Sequence, residues 1–464
     1  MFSSKIYKQR RNELKKKIEK GLILFLGNDE SPMNYADNAY KFRQDSTFLY
    51  YFGIDEPNFA AVIDIDENKE MIFGNDFTID EIVWMGPQKT VKQKAAKCGV
   101  NLTFKMSELE NILKAALTKG RKIHFIPQYR HSNMIKLQIL LGIDASRVND
   151  YASQELIKAV AEQRAVKSNE EIEEIEKAIS IAYEMQVAAM KFAKSGMIEK
   201  EIAGFIEGIA ISMGNGLSFP VIFSKHGETL HNHFYGNKLK DGDIVVNDSG
   251  AESLLHYASD ITRTFPVSGK FTQMQKEIYE IVLLAQLTAI KSIKPRVSYK
   301  DVHLKASTVI AEGLKALGLM KGDVKEAVKE GAHALFFPHG LGHLLGLDVH
   351  DLENFGESNF GYDNKIKRSS QFGLKSLRYA KALVPGIVIT VEPGIYFIPQ
   401  LIEKWEAEKK FIQFINYQKL EAYKNFGGIR IEDDVLVTDT GSKVLGKPIP
   451  KFVDEVEEVS SNKI

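Results

Sequence analysis

The stretch HGLGHLLGLDVHD, from His339 to Asp351, sets three histidines within thirteen residues, spaced by glycines and leucines. Imidazole is a common borderline metal ligand and the usual proton carrier near neutral pH. Glycines beside it let a backbone or a substrate come close. Taken alone, the run could be a core of three well-bonded imidazoles, the lesser of the two readings. Four acidic motifs elsewhere offer it partners: Asp248 in IVVNDSGAE, Asp260 in YASDITRTFPV, Glu392 in IVITVEPGIYF and Glu432 in GGIRIEDDVLV. Each acid sits in or beside a β-branched, apolar run, where a side chain tends to face inward and an unpaired carboxylate is costly. One such acid would be an ordinary buried ion pair; four of them with a histidine cluster point to a metal site.

Ligand type narrows the metal. Four carboxylates and one imidazole are too oxygen-rich for a structural zinc site, which favours Cys and His. They suit Mn²⁺, Co²⁺, Fe²⁺ or Zn²⁺ with open water positions. Five ligands with bridging carboxylates would hold two ions about 3.5–4 Å apart, a geometry that makes hydroxide from water near neutral pH. The chemistry expected is hydrolysis.

These elements must be delivered to one place. The apolar Ile244–Val246 run is expected to carry Asp248 to the end of a buried strand. Pro393 and Gly394, which follow Glu392, are expected to end its strand, and Glu432 is expected inside an alternating strand, with Arg430 two residues earlier on the same face. Ser168 with Glu171 and Thr272 with Gln275 read as capping boxes that open long helices, the second running to about residue 294. Short strands at 22–27 and 60–66 and a helix near 105–118 precede a domain boundary placed at 160/161. Helices alternating with antiparallel-looking strands argue for α+β. The tail KFVDEVEEVSSNKI is polar and is expected to fray.

In the order Asp248, Asp260, His343, Glu392, Glu432, the chain resembles the metallopeptidases aminopeptidase P, prolidase and methionine aminopeptidase, and HGLGHLLGLDVHD fits their Xaa-Pro signature throughout. The resemblance implies a pita-bread catalytic domain over 161–464 behind a creatinase-type N-terminal α/β domain over 1–160. It implies two divalent ions, Mn²⁺ first, with Asp248 a terminal ligand of one, Asp260 and Glu432 bridging, and His343 and Glu392 completing the other. By the same match Glu392 moves the proton between water and leaving amine. His350 stabilises the tetrahedral intermediate, and His339 shapes the proline pocket. His231 aligns with a further active-site histidine, with His233 competing because HNH replaces the commoner HY. Arg430 orients carboxylates or leaving group, or is a structural salt bridge.

The implied activity is Xaa-Pro aminopeptidase, acting on peptides with proline second; the alternative is Xaa-Pro dipeptidase. Arg378, in GLKSLRYAKALVPG, matches an arginine that clamps a dipeptide carboxylate, and the insert 399–426 resembles the prolidase one. A non-catalytic binding protein of this fold remains a remote third reading, since such branches break the five-ligand set. The segment 35–57 resembles the start of the creatinase-type domain, which implies a homo-oligomer, dimer or tetramer, with Asp37 and Trp84 at positions that approach a neighbouring subunit or merely pack locally. Arg43 reads as structural.

Composition agrees with a soluble enzyme. In 464 residues, 44% apolar content can fill sizeable cores. Lys and Arg number 61 against 61 acids, so nothing suggests nucleic acid or an anionic membrane. The single cysteine, Cys98, fits a reducing compartment, and the charged N-terminus lacks a signal-peptide core, so a cytoplasmic protein is expected.

Overall fold

Uninterrupted apolar runs make the central strands of the N-terminal part: Leu22–Leu26 (β1) and Ala60–Asp64 (β2) are buried at every residue, as strands covered on both faces must be. With Lys69–Phe73 (β3), Leu102–Phe104 (β4) and Ile123–His124 (β5) they form a mixed sheet in the order β4-β3-β2-β1-β5. β1 runs antiparallel to β2 and parallel to β5. The helix Ser46–Phe52 is buried on all sides; Asp45 caps it by accepting from the Phe48 N–H at 2.9 Å, and Gly53 ends it at φ 61°.

The computed structural model describes Met1–Lys463. Its contacts divide it into two units, Met1–Arg164 joined by Asn354–Asn359, and Ala165–Glu353 joined by the chain from Phe360 on.

The second unit repeats one theme, a long helical hairpin packed on antiparallel strands. Helices Asn169–Phe192 and Glu199–Met213 form the first hairpin, Gln273–Ser292 and Tyr299–Ala316 the second. The capping residues act as expected: Glu171 accepts from the Ser168 N–H at 3.1 Å, and Thr272 and Gln275 exchange bonds of 2.8 and 3.3 Å. Each hairpin aims one fully buried glutamine at the strands. Gln186 Nε2 donates to Ile261 O at 2.7 Å, and Gln286 Nε2 donates to Asp433 Oδ2 at 2.9 Å.

Ile222–Ser224 (β6), Ile244–Ser249 (β7) and Ile261–Pro266 (β8) pair in the order β6-β7-β8, all antiparallel. The other strands make one interrupted ribbon: Val388–Val391 (β9) pairs with Asp433–Val437 (β12), and Gly394–Tyr396 (β10) with Gly428–Arg430 (β11). Ser442–Val444 (β13) edges β12. The interruption falls at Glu392-Pro393 on one side and Ile431-Glu432 on the other. Proline has no N–H to give a ladder, so the pairing must break there.

Two expectations are corrected. Glu432 does not lie inside a strand but in the gap between β11 and β12. Among the described residues the C-terminal tail does not fray: Val453–Ser461 is a helix with Val456, Glu457 and Ser460 buried. Glu457 accounts for this, accepting from the Phe271 N–H at 3.1 Å and pairing with Lys270 and Lys276 at 2.8 and 3.0 Å. Polarity of composition concealed one polar side chain that docks.

Candidate metal centre

Four carboxylates reach the cavity from strand ends and breaks, and one imidazole from an irregular segment beside them. In β7–β8, Asp248 faces Thr262 across the ladder, and Asp260 immediately precedes β8, so both acids emerge at one end of the pair. Glu392 and Glu432 emerge at the two sides of the broken ribbon. Strand β8 stitches that break to the first sheet: the Glu432 N–H donates to Thr262 O at 3.0 Å, and Arg263 Nη1 donates to Glu432 O at 2.6 Å. His343 comes from an irregular segment laid along β9, where the Thr390 N–H donates to His343 O at 2.9 Å and the Glu392 N–H to Leu341 O at 2.8 Å. Gly342 permits this approach, since a Cβ there would meet Thr390 O at 2.1 Å.

His343 Nδ1 lies 3.1 Å from Leu344 O, so that nitrogen carries the hydrogen and Nε2 presents a lone pair. Yet Nε2 lies 3.3 Å from Asp260 Oδ2 and 3.8 Å from Glu392 Oε1. Acceptors facing one another at these distances need a proton or a metal ion between them. Buried oxygens of Asp248 (Oδ1), Asp260 (Oδ1) and Glu432 (Oε1) also lack hydrogen-bond partners. Ligand atoms of Asp260, His343 and Glu432 lie within 4.8 Å of one another. Burial and then the Glu432 charge push the Asp260 carboxyl far above its ordinary range; burial and then Glu392 do the same to Glu432. Burial lifts Glu392 to about 8 against the opposing Arg430 charge. The donor set therefore fits divalent cations, with hard oxygen ligands and one neutral imidazole.

The neighbouring acids of the IEDD run do different work. Asp433 is buried against Arg263 at 2.6 Å and Lys451 at 2.5 Å, while Asp434 Oδ2 accepts from the Asp260 N–H at 3.1 Å. Both sit behind Glu432 and Asp260 as supports.

A cavity of about 510 Å³ opens over the acids, and every site residue expected from the sequence lines it, including His231, His339, His350, Arg378 and Arg430. His233 lines it too, so both histidines of the HNH run face the cavity. Phe219, Pro220, Ile222, Leu230 and Val349 supply an apolar wall. His350 stacks on His343 with ring centroids 3.8 Å apart. Asp37 and Trp84 belong to the N-terminal unit, where Trp84 is 86% exposed. No residue of the 399–426 insert is among those lining the cavity; the insert packs Trp405 on Phe372 and bridges Ile415 to Met320.

Sequence reasoning missed Tyr396. Its hydroxyl accepts from Arg430 Nη1 at 3.0 Å and donates to His339 Nε2 at 2.8 Å, and Arg430 Nη2 donates to Asp248 Oδ2 at 2.6 Å. His339 Nδ1 in turn donates to Gly340 O at 2.8 Å. Burial, followed by the Arg430 charge, lowers His339 to about 3, so it stays neutral and accepts. A chain of bonds thus runs from Asp248 to the imidazole that walls the cavity. The signal was present in glycine: a Cβ at Gly394 would meet the Tyr396 hydroxyl at 2.3 Å, and one at Gly428 its ring at 2.5 Å. Thr262, whose Oγ1 donates to Glu432 Oε2 at 2.6 Å, was likewise missed.

A two-unit chain with a buried carboxylate–imidazole cluster at the junction of two antiparallel sheets is a metallohydrolase by chemistry. Residues 173–439 match the model of metallopeptidase family M24, and residues 7–124 that of the aminopeptidase P N-terminal domain. Among its relatives, the Xaa-Pro dipeptidase of Rattus norvegicus is 34% identical, over 94% of this chain and 88% of that protein. The Xaa-Pro aminopeptidase of Escherichia coli is 32% identical, over 98% and 97%. The structure of Zn-substituted E. coli aminopeptidase P in complex with product superposes with a TM-score of 0.80 at 29% identity, over 99% of this chain and 98% of that one. The chain belongs to metallopeptidase family M24, in its aminopeptidase P and prolidase branch, and it is an enzyme with that branch's two-part fold.

Proposed function

We propose that this protein hydrolyses the Xaa-Pro bond at the N-terminus of short peptides with two divalent ions, Mn²⁺ first among Mn²⁺, Co²⁺, Zn²⁺ and Fe²⁺. The observation that carries the reading is the set of facing acceptors, His343 Nε2 against Asp260 and Glu392, in a cavity with an apolar wall. Relatives named for both aminopeptidase and dipeptidase activity support the Xaa-Pro bond as the one cleaved. Asp248, Asp260 and Glu432 would hold one ion, and Asp260, Glu432, His343 and Glu392 the other. When bound, such ions supply an acidified water and a polarised carbonyl.

The protein's own groups do the rest. Glu392 takes the proton of the attacking water and returns it to the prolyl nitrogen, which as a tertiary amide has no N–H of its own. His350, with a hydrogen on each ring nitrogen, donates from Nε2 toward the carbonyl oxygen as charge builds on it, and His231 or His233, which line the same cavity, can serve that oxygen too. His339 and the apolar wall take the proline ring. Arg430, through its fork on Asp248 and Tyr396, keeps that carboxylate aimed. The domain division proposed is 1–160 and 161–464, and a cytoplasmic site is proposed on the buried single thiol of Cys98.

Hydrolysis of Gly-Pro, Gly-Pro-Pro and a longer Xaa-Pro peptide, each with added Mn²⁺, tests the reading. First-residue release from the longer peptides is expected. Cleavage of Gly-Pro alone would replace it with the dipeptidase reading, and no cleavage of any would remove the function. Arg378→Ala is expected to impair Gly-Pro turnover far more than Gly-Pro-Pro, because a guanidinium clamp matters when the carboxylate is one residue from the bond.

A homo-oligomer, dimer or tetramer, is proposed from the helix Ile79–Met85, which buries none of its residues although Ile79, Val83 and Trp84 are 75, 74 and 86% exposed. Apolar surface of this kind marks an interaction site. Light scattering should show Trp84→Glu shifting the protein toward monomer; a monomeric wild type would sink the proposal.

A further inference from the structure

Glu353 is not a lining residue of the cavity, yet it holds two residues that are. Its Oε2 accepts from His350 Nδ1 at 2.6 Å, and its Oε1 accepts from Arg378 Nη1. His350 and Arg378 lie 28 positions apart in sequence and both line the cavity, so one carboxylate ties together two sections of its wall. The contact is built by the backbone. Leu352, with its side chain buried, stands in the left-handed region at φ 70°, a conformation that non-glycine residues adopt only when their surroundings impose it. That turn brings Glu353 back beside the imidazole, with its N–H 3.3 Å from His350 O. His350 is then gripped from two directions, by Glu353 at Nδ1 and by its stack on His343.

The side chains of His350, Glu353 and Arg378 are 33, 37 and 35% exposed. Ion pairs this open add little to stability. Their consequence is where two side chains point. Glu353 accepts the Nδ1 hydrogen, which leaves Nε2 as the nitrogen that can address a substrate; it donates to a substrate oxygen when the ring carries a second hydrogen, a charge that the facing carboxylate balances. A guanidinium has five donors in a planar fork, enough to hold Glu353 and a second carboxylate together.

We propose that Glu353 is a positioning residue that sets both rate and substrate length, orienting His350 toward the scissile carbonyl and Arg378 toward the carboxylate of a short peptide. The inference rests on the Xaa-Pro reading above. If it holds, rate and length preference are linked through one side chain, and changing that side chain moves them in separable ways.

The test uses the full chain loaded with Mn²⁺ and compares Gly-Pro with Gly-Pro-Pro. Glu353→Ala should lower kcat about tenfold on both peptides, through His350, and raise KM about tenfold for Gly-Pro alone, through Arg378. Glu353→Gln keeps an oxygen that can accept from His350 and should recover most of kcat, while KM for Gly-Pro stays high because a neutral amide holds a guanidinium weakly. In an Arg378→Ala background, Glu353→Ala should raise KM no further. Unchanged kinetics in Glu353→Ala, or a KM effect that persists without Arg378, would overturn the role of Glu353 while leaving the peptidase reading intact. A wild type inert on both peptides would take down the peptidase reading and this inference with it. Should circular dichroism show that Glu353→Ala is misfolded, the KM of Glu353→Gln decides the matter alone.

Discussion

Asp260→Asn is expected to abolish hydrolysis and to deplete the proposed metal site. The expected loss in kcat/KM is at least about a thousandfold, or ~4 kcal/mol at 1.36 kcal/mol per decade. Asp260 Oδ2 faces His343 Nε2 at 3.3 Å, and Oδ1 has no other partner, so a neutral amide removes a ligand that nothing nearby replaces. Stability should move the opposite way. Burial and the Glu432 charge raise the Asp260 carboxyl far above its unfolded value. A group raised in this way opposes folding at every pH above its unfolded pKa, because folding must protonate it or bury its charge. Asparagine has no such cost, and its Nδ2 can donate to His343 Nε2. Thermal melts of metal-stripped protein should therefore place the variant at or above wild type, while elemental analysis after Mn²⁺ loading shows it depleted. Full metal content with retained turnover would remove Asp260 from the centre.

Arg430→Met should be the opposite case, losing activity and stability together. Arg430 is 3% exposed and is the cation bonded to Asp248, Tyr396 and Thr262 at 2.6, 3.0 and 3.2 Å. Removing one partner of a buried pair strands the other, at a cost of roughly 3–5 kcal/mol. Metal should recover part of the loss, since a divalent ion at Asp248 neutralises the stranded charge. Arg430→Lys should fail to restore activity, because one ammonium cannot reach Asp248 and the Tyr396 hydroxyl with the geometry of a planar fork. Melting curves of Arg430→Met with and without Mn²⁺, beside Gly-Pro-Pro turnover of Arg430→Lys, decide this. Near-wild-type turnover in the lysine variant would mean that charge alone is needed there.

The two substitutions differ in sign because of where the charges balance. Four carboxylates crowd the cavity with Arg430 among them. Taking away one negative charge relieves that crowding, and taking away the arginine worsens it. Such opposed stabilities are expected of a site whose acids are kept for a cation and not for the fold.

Much of the site was legible one residue at a time. An acid at the edge of a β-branched run, as with Asp248 after Ile244–Val246, states that a charge is being carried inward, and the only question is toward what. The glycines of the histidine run state close approach, which Gly342 against Thr390 bears out. Arg430 and Glu432 were expected on one face of one strand; they do share the cavity, but by another route, because Pro393 breaks the ribbon and turns Glu432 out of the gap. Tyr396 stayed hidden because a tyrosine in an apolar strand ordinarily reads as core. Its meaning lies in the hydroxyl's neighbours, Arg430 and His339, which are 34 and 57 positions away.

Residue types alone determined the chemistry here, since oxygen-rich donors with one imidazole suit few ions and few reactions. Periodicity and capping determined the long helices, because hydrogen bonds between Thr272 and Gln275 are local events. Tertiary structure alone decided which acid of IEDD faces the cavity, since Glu432, Asp433 and Asp434 are chemically near-equivalent in the chain. Arg263 and Lys451 claim Asp433, and the Asp260 amide claims one oxygen of Asp434, so that of the three only Glu432 lines the cavity. Partners brought together across more than 160 positions, as Thr262 is to Glu432, leave no periodic mark on either segment. A carboxylate's role follows from the groups that surround it, and those are chosen by the fold.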